Sequence, residues 1–412
     1  MSSSSAKVKM ARVATHLRIS SGNGISRYRM IKPLLAAERE GPMSFTPPSG
    51  KTGAFAFMLT LLTQAPENVA LFVLAYGLED FRRDFGVLAA VTGIPEAELR
   101  EIADVAQQGQ DGSSPKRSDQ HVVSSVVLRR FADPSTKLIG NHSIQYGLQD
   151  PKGPRGLGWI KDFVKIDSEA TEKLWGATES KLPDALAAAD DQTLFDSPER
   201  VATIKEAMAL HYARSADVLE QHDELWRGTL ARMRAELDNN PALTDAIYCL
   251  KTGDAAGKPD GEMRESLTND WLKRLTHIFE TGVVFRFRVQ HYVREATTML
   301  ASAGLEVLRP SPGNEFLIGD VPVLATDASG NVRGIAAGIP IGSAATVAMP
   351  FGPRLLIALG PKNHYEQIDA TRVKRLNTWQ IEAARRAVYF RPRSPCERLP
   401  TEVRPPNFQP YA

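Results

Sequence analysis

One histidine of this chain has neighbours that suit proton transfer. His121 stands in the run Ser118-Asp119-Gln120-His121-Val122-Val123, and the apolar pattern from Val122 to Phe131 predicts a helix that Asp119 caps. A histidine in the first turn of a helix feels the positive helix end, which favours the neutral ring and hence a base near pH 7. The alternative is that His121 only caps or packs the helix.

An aspartate on a stiff turn is the second candidate. Asp320 lies between Gly319 and Pro322, just after the short apolar run from Phe316 to Ile318. A carboxylate held there can bind an amine or a guanidinium group. The alternative is an Asx-turn that closes the strand. We predict that His121 and Asp320 line one shared cleft although they lie far apart in the sequence.

Cationic and amide side chains complete the set of candidates. Arg129 and Arg130 follow His121 on the same predicted helix, and Arg130 lies nearer its apolar stripe. Such an arginine must either pair with a carboxylate or contact a ligand. Arg214, in the run Leu-His-Tyr-Ala-Arg-Ser, and Asn377 are weak candidates alone, and their joint order along the chain is the stronger signal.

The elements predicted to position these residues are mostly helices. Helices are predicted at 54–75 (a pair), 81–88, 96–105, 168–189, 198–238 and 264–303, the last divided near Gly282. The five glycines of residues 140–162 show no periodicity and predict an irregular surface loop. Residues 107–118 are the best linker.

The character of the sequence changes after Leu305. Short β-type runs are expected at Glu306–Leu308, Phe316–Ile318, Val321–Ala325, Ala345–Met349 and Leu355–Leu359. A closing helix follows from Thr371 to Val388, with Arg372, Lys374, Arg375, Arg385 and Arg386 on its basic face and Asn377 at the margin of its apolar face.

The fold class predicted from these elements is mainly α with a small C-terminal β-sheet, an α+β protein. Residues 1–110 form a basic, helical accessory region, and residues 115–395 form the core domain. Within the core, residues 118–304 are helical, 305–360 form the small β region and 371–389 the closing helix. Residues 396–412 are a tail.

Several familiar chemistries have no support in the sequence. Ser49-Gly50-Lys51-Thr52 resembles a phosphate loop, but Phe45 stands where that motif needs glycine. His-Glu-x-x-His, Cys-x-x-Cys and Gly-x-Ser-x-Gly do not occur. We therefore expect neither a metal nor a cofactor.

Composition favours an intracellular protein with local regions that can bind anions. The apolar fraction is 42% and the charged fraction 24%, which are ordinary values, and the two cysteines, Cys249 and Cys396, lie far apart. No apolar run approaches membrane-spanning length. We expect a cytoplasmic protein without membrane contact, and a homo-oligomer is among its possible states.

The net charge of +2 hides two basic blocks. Seven Lys or Arg and no carboxylate occur in the first 37 residues, and seven more face one Glu between Arg372 and Arg393. Such blocks can neutralise phosphates. For any single block the alternative is a solvated tail or face, and for the first block it is also an organellar transit peptide. Residues 88–102 also have the rhythm of a helix-turn-helix module, and the alternative is an ordinary turn between two packed helices.

In order and spacing, the segments around His121, Leu128-Arg129-Arg130-Phe131, Arg214, Asp320 and Asn377 resemble a large bacterial and fungal family of unknown function. Its members open with His-x-Val-Pro, continue with Leu-Arg-x-Phe, and close with Ser-Asp-Asn-Pro and an Asn-containing helix. The resemblance covers residues 117–392. Here Ser124 replaces the first proline, and the later stretch reads Gly319-Asp320-Val321-Pro322.

The characterised fungal branch of that family is known as the arginine-containing cyclodipeptide synthases. The resemblance implies aminoacyl transfer from charged transfer RNA, with arginyl-tRNA as the suspected partner, and without ATP or metal. It implies His121 as base or proton shuttle, Arg130 or Arg129 near the terminal adenosine or oxyanion, and Asp320 as an anchor for an amine or guanidinium. The residues expected to bind substrate or RNA are Arg129, Arg214, Arg375, Asn377, Arg385 and Arg386.

Two other functions stay open at this point. One is a nucleic-acid-binding or defence-type protein without chemistry of its own, which would use the N-terminal helices and the basic blocks. The other is a nuclease, which would need a cluster of carboxylates for a metal ion.

Overall fold

The fold combines helices with three β-sheets. The computed structural model describes residues 95–110, 119–165, 168–239, 241–252, 258–328 and 341–405, together with Phe85. Of these residues, 55% are helical and 19% lie in strands, which form sheets of two, four and five strands. The predicted fold class, mainly α with one small sheet, is therefore wrong, and the chain is a mixture of helices and sheets.

The described helices account for most of the middle of the chain. They are α1 (Glu96–Gln110), α2 (Ser125–Arg130), α3 (Ser168–Asp190), α4 (Pro198–Ala213), α5 (Ala216–Asn239), α6 (Pro241–Thr252), α7 (Gly261–Thr281), α8 (Val283–Ala301), α9 (Ala370–Ala383) and α10 (Leu399–Val403).

Local signals explain several helix ends. Ser197 caps α4 through the Arg200 N–H, with Pro198 in the first turn, and Asp260 caps α7 through the Met263 N–H at 2.8 Å. Gly282 adopts a left-handed backbone (φ +84°) between α7 and α8. The predicted division of residues 264–303 near Gly282 is confirmed.

The five-stranded sheet has the order β10-β5-β9-β8-β7. Its strands are β5 (Gly304–Pro310), β7 (Leu324–Thr326), β8 (Thr346–Gly352), β9 (Leu355–Gly360) and β10 (His364–Ile368), and only β10 runs parallel to its neighbour, β5. Leu305 and Val307 belong to the core shared with α2, α3 and α4, whereas Leu308 belongs to the core under α9. The alternation of a strand thus gives each face of this sheet its own helices.

The four-stranded sheet joins distant parts of the chain in the order β3-β2-β11-β6. It contains β2 (Ile139–Ser143), β3 (Gly147–Lys152), β6 (Ile318–Gly319) and β11 (Ala387–Phe390). The predicted surface loop at 140–162 is wrong, because this stretch supplies β2, β3 and also β4 (Trp159–Lys161). In a two-stranded ribbon, β4 pairs with β1 (Asp119–His121).

One predicted helix is divided and another ends earlier than expected. The single helix over 198–238 is divided at Arg214 and Ser215 into α4 and α5, and the closing helix ends at Ala383 rather than Val388. The strand-like runs after Leu305 all contribute to strands, but β10 and β11 were not predicted.

Most of the N-terminal region lies outside the described residues. The first basic block and the helix pair at 54–75 fall there, as do the first part of the helix-turn-helix candidate and most of the predicted helix at 81–88, of which only helical Phe85 is described. The helix predicted at 96–105 is confirmed as α1, whose Leu99 and Ala103 are fully buried. Within the described parts of the chain, every helix is too short or too polar to cross a bilayer.

Candidate active site

The β1–β4 ribbon presents His121 on its exposed face. His121 lies opposite Trp159, and Asp119 lies opposite Lys161, in antiparallel register. Directly opposed residues of antiparallel strands point to the same side, so the four side chains share one face. Trp159 is 40% exposed, which leaves an aromatic surface beside the half-buried histidine.

The other face of the ribbon anchors it to the core. Gln120 and Ile160 are opposite each other and buried, and the Gln120 side-chain oxygen accepts a hydrogen bond from the Val164 N–H at 2.5 Å. This anchor fixes the direction in which His121 points.

The predicted position of His121 in a helix is wrong, because His121 ends a strand. The following helix, α2, begins at Ser125 and is capped by Ser124, whose hydroxyl accepts a hydrogen bond from the Val126 N–H at 3.2 Å. The positive end of a helix therefore does not account for a neutral ring at His121.

Burial and a neighbouring cation keep the ring neutral instead. Burial is the larger cause that lowers the pKa of His121 below its usual value, and the charge of Arg214 adds to it. Glu179 and Asp119 act in the opposite direction. Because the ordinary pKa of 6.5 is already below neutral pH, a lowered pKa leaves the imidazole uncharged at pH 7.

The Nε2 atom of His121 is buried and has no hydrogen-bond partner among the residues that the structure describes. The ring interacts with the backbone of Pro154, whose only backbone hydrogen-bonding group is its carbonyl. That acceptor holds a ring N–H, which leaves Nε2 as a lone-pair nitrogen. This is the arrangement of a general base.

Arg214 is the buried cation of the site. Its side chain is 1% exposed, and its guanidinium lies 5.3 Å from the centre of the Trp175 ring. Its Nη2 donates to a carboxylate oxygen of Glu179 on α3 and lies 3.2 Å from Nε2 of His211. Arg214 is the first residue after α4, so the break between α4 and α5 turns the guanidinium inward.

His211 positions the start of α2. Its Nδ1 lies 2.7 Å from the Ala207 carbonyl, and its Nε2 accepts a hydrogen bond from the Ser124 N–H at 3.1 Å. Burial, and then Arg214, lower the pKa of His211 well below its usual value, so its ring is neutral. His211 therefore fixes Ser124, which lies between the ribbon and α2.

Two carboxylates of α3 complete the site. The Glu179 side chain is 23% exposed and holds Arg214, and Glu172 also feels both of these charges. Desolvation raises the pKa of Glu172, an effect that Arg214 opposes and Glu179 reinforces. The site thus combines a neutral imidazole, a buried guanidinium and carboxylates that can hold an ammonium group.

The sequence did not single out Glu179 or His211. His211 lies one helical turn before Arg214, which was the available signal for that pair. Glu179 lies on a charged helix without a motif, and only the tertiary fold brings it to the guanidinium.

Asp320 is engaged by the backbone of the chain itself. It is 2% exposed, and its two carboxylate oxygens accept hydrogen bonds from the N–H groups of Arg385 at 2.9 Å and Arg386 at 2.8 Å. Burial raises the pKa of Asp320 to about 6, against these hydrogen bonds. These contacts fix the connection between α9 and β11, and the binding of a substrate amine by Asp320 stays a prediction.

Short chains of contacts link Asp320 to the site around His121. The Ala216 N–H, two residues after Arg214, donates to the Asp320 carbonyl at 3.3 Å. Tyr389 feels the charge of Asp320, and its hydroxyl accepts from the Gly158 N–H at 3.2 Å, one residue before Trp159. These contacts connect the two predicted halves, and a cleft shared by the side chains of His121 and Asp320 stays a prediction.

Asn377 is a buried residue of α9 that holds the segment before β6. Its amide oxygen accepts from the Leu317 N–H at 3.1 Å, and its amide nitrogen donates to the Glu315 carbonyl at 2.8 Å. One turn later, Gln380 accepts from the Gly319 N–H at 2.7 Å and donates to the Pro322 carbonyl at 2.9 Å. Both side-chain amides therefore satisfy buried backbone groups, and contact of Asn377 with a substrate stays a prediction.

The predicted basic face of the closing helix is divided. Arg385 and Arg386 follow the end of α9, so their predicted placement on a helix is wrong. Arg385 donates to Asp217 at 2.8 Å and 2.5 Å, whereas the side chain of Arg386 is exposed. Arg375 remains on α9, with its guanidinium 5.3 Å from the centre of the Trp379 ring.

Nη2 of Arg130 donates to both carboxylate oxygens of Asp190, at the end of α3, at 3.0 Å and 2.8 Å. Arg129 is exposed, with a long contact of 3.5 Å to the Ser125 hydroxyl. Within the described residues, no hydrogen bond or ion pair joins Arg129 or Arg130 to His121. Their predicted roles near a substrate stay predictions.

No group of three or more potential metal ligands occurs within the residues that the structure describes. A model of the family described as "Protein of unknown function (DUF4238)" matches residues 119–394. No curated protein and no solved structure matches the chain.

Proposed function

The chain belongs to this DUF4238 family of unknown function, and we propose, from the resemblance described above together with the geometry of the site, that it transfers an aminoacyl group from a charged transfer RNA to the amine of a second amino acid. The observation that carries the proposal is the neutral His121 ring, whose buried Nε2 has no partner among the described residues.

The proposed reaction joins an amine to an activated ester. An α-amine nitrogen attacks the ester carbonyl that links an amino acid to the terminal ribose, and Nε2 of His121 accepts the proton that the nitrogen loses. The tetrahedral intermediate then breaks its C–O bond to the ribose, and the proton passes from His121 to that leaving oxygen. The products are an amide and a transfer RNA with a free hydroxyl group, and no other reactant is consumed.

Glu179 and Arg214 have separate tasks in this proposal. Glu179 is partly exposed and holds the incoming amine in its ammonium form until one proton passes to solvent, which leaves the neutral amine that attacks the ester. Arg214 is buried and already paired with Glu179, so it acts through its neighbours. It fixes Glu179 and, after burial, adds to the lowering of the pKa of His121.

The surroundings of His121 suit the end of an RNA strand. Trp159 offers an exposed ring on which a base can stack. Lys152, Arg155 and Lys161 are exposed on the same stretch of chain and can meet phosphates. The finer assignment, to synthesis of an arginine-containing cyclic dipeptide, rests on the sequence resemblance alone and forms part of the proposal.

The test incubates the full chain with transfer RNA charged with labelled arginine, together with a mixture of other charged transfer RNAs, and analyses small products by mass spectrometry. We expect a dipeptide or diketopiperazine that disappears when ribonuclease is added first. His121→Gln should lower the rate at least about 100-fold, because a general base is removed.

The matched control is His277→Gln, which changes an exposed histidine of α7 outside the site. It should leave the rate unchanged, and both variants should bind charged transfer RNA within about threefold of the unaltered protein. Tight binding of RNA without any product would support the non-catalytic alternative, and a product made equally well by His121→Gln would contradict the proposed base.

A further inference from the structure

A cavity of about 500 Å³ opens between α9 and the five-stranded sheet. It lies over the sheet face that carries Leu308, whereas the residues packed beneath α2 and α3 belong to the opposite face. The cavity is therefore separated by the sheet from the site around His121 and belongs to no activity described above.

The floor of the cavity is a row of residues across three strands. Glu306 on β5 lies opposite Ala358 on β9, and Ala358 lies opposite Ala348 on β8. The two alanines lack the side-chain volume to reach α9, so they leave an apolar depression beside the carboxylate. Leu308, two residues after Glu306, shares this face.

Successive turns of α9 form the opposite wall of the cavity. Arg372, Arg375, Leu376 and Trp379 line the cavity at the spacing of one helix face. The Arg375 guanidinium lies 5.3 Å from the centre of the Trp379 ring, which holds the charge at the edge of the cavity.

Of the charged side chains that line the cavity, Arg372 is neutralised by a close partner, whereas within the described parts of the chain Glu306 and Arg375 are not. Arg372 donates to both carboxylate oxygens of Glu366 at 2.8 Å, which neutralises it. Glu306 is only 19% exposed, and its single ion pair within the described residues is a contact of 4.0 Å with Arg372. Arg375 has no carboxylate partner in the part of the chain that the structure describes.

A glycine secures the place of the Glu306 carboxylate. A Cβ atom on Gly360 would lie 2.3 Å from Oε1 of Glu306. Any larger residue would therefore push the Glu306 side chain aside, so the missing side chain at Gly360 leaves room for the carboxylate in the cavity.

We infer that this cavity binds a free α-amino acid with an apolar side chain. Glu306 binds its ammonium group, Arg375 binds its carboxylate, and the alanine floor with Leu308 receives its side chain. One spare negative and one spare positive group match a small zwitterion. A phosphate or a nucleotide fits poorly, because Glu306 would repel it and Arg372 is already neutralised.

The test is titration calorimetry of the full chain with L-leucine and two analogues that each lack one charge, 3-methylbutylamine and 4-methylpentanoate. Leucine should bind with a dissociation constant below about 1 mM, and each analogue should bind at least about tenfold more weakly. This arm uses the unaltered protein, so it does not depend on whether any variant folds.

Substitutions give the second arm. Glu306→Gln and Arg375→Gln should each weaken leucine binding at least about tenfold, while Lys374→Gln, the exposed neighbour on α9, should not. Absence of leucine binding up to about 10 mM, or equal binding of leucine and 4-methylpentanoate, would overturn the inference. No RNA is present, so the result is independent of the proposed transferase activity.

Discussion

The two halves of the family signature use their polar groups in opposite ways. Around His121, the ribbon and α3 leave a neutral imidazole nitrogen without a partner among the described residues. Around Asp320, in contrast, the hydrogen-bonding atoms of Asp320, Asn377 and Gln380 are used on the backbone of their own chain.

The difference separates a reactive part from a framework part. A polar group that is already hydrogen-bonded at short distance gains little from a ligand, because a new contact must replace an existing one. A buried acceptor without a partner gains the full benefit of a ligand's proton. We therefore expect substitutions in the first half to change activity and substitutions in the second half to change stability.

The largest expected effect on stability belongs to Asn377. Asn377→Ala leaves the Leu317 N–H and the Glu315 carbonyl buried without a partner, which should lower the free energy of unfolding by about 2 to 4 kcal/mol. Urea denaturation measures the change, and Lys374→Ala on the same helix is the control. An Asn377→Ala protein that keeps its stability but loses its activity would contradict the assignment of Asn377 to the framework part.

Asp320 should give the protein a distinctive pH dependence. Burial raises its pKa in the folded state from 3.8 to about 6, so the folded protein holds this proton more tightly than the unfolded chain. The free energy of unfolding should therefore fall as pH rises from 4 to 6, by on the order of 2 kcal/mol from this group.

Asp320→Asn removes that contribution, so the unaltered protein should lose stability relative to the variant over the same pH range. Urea denaturation at several pH values measures the difference. Comparing the two proteins cancels the opposite contribution of the buried histidines, whose lowered pKa values cost stability as pH falls. Parallel curves for the two proteins would show that the Asp320 carboxylate ionises normally.

Glu179 should shift the pH profile of the reaction. Its charge raises the pKa of His121, so Glu179→Gln should lower that pKa further and move the acid limb of kcat/KM to lower pH, by less than about one unit. Asp184→Asn, an exposed carboxylate on the same helix, should leave the limb in place. A shift toward higher pH would exclude Glu179 as a neighbour of the base.

The smallest effect is expected at Arg130. Its pair with Asp190 is partly exposed, so Arg130→Gln and Asp190→Asn should each lower the free energy of unfolding by no more than about 1 kcal/mol and leave the rate unchanged. A loss of activity in Arg130→Gln alone would instead support the substrate contact predicted from the sequence.

Local signals in the sequence predicted much of the fold. The left-handed glycine between α7 and α8 and the short β-type runs after Leu305 are encoded by neighbouring residues. The end of α9, in contrast, is not encoded by neighbouring residues. The N–H groups of Arg385 and Arg386 bond to Asp320 rather than continue the helix, and this partner lies far away in the sequence.

The candidate site was predicted only in part for the same reason. His121 and Arg214 stand out through their motifs, but Glu179 reaches them through the packing of α3, and the break after α4 is what buries Arg214. The predicted cause of a neutral His121 was wrong, since the surroundings rather than a helix end lower its pKa.

The most direct test of the reactive half is nitrogen NMR of the His121 imidazole through a pH titration, assigned with His121→Gln. The account predicts a proton on Nδ1 and none on Nε2 at pH 7, with a pKa below 6.5. A proton on Nε2 at pH 7, or a pKa above 6.5, would contradict it.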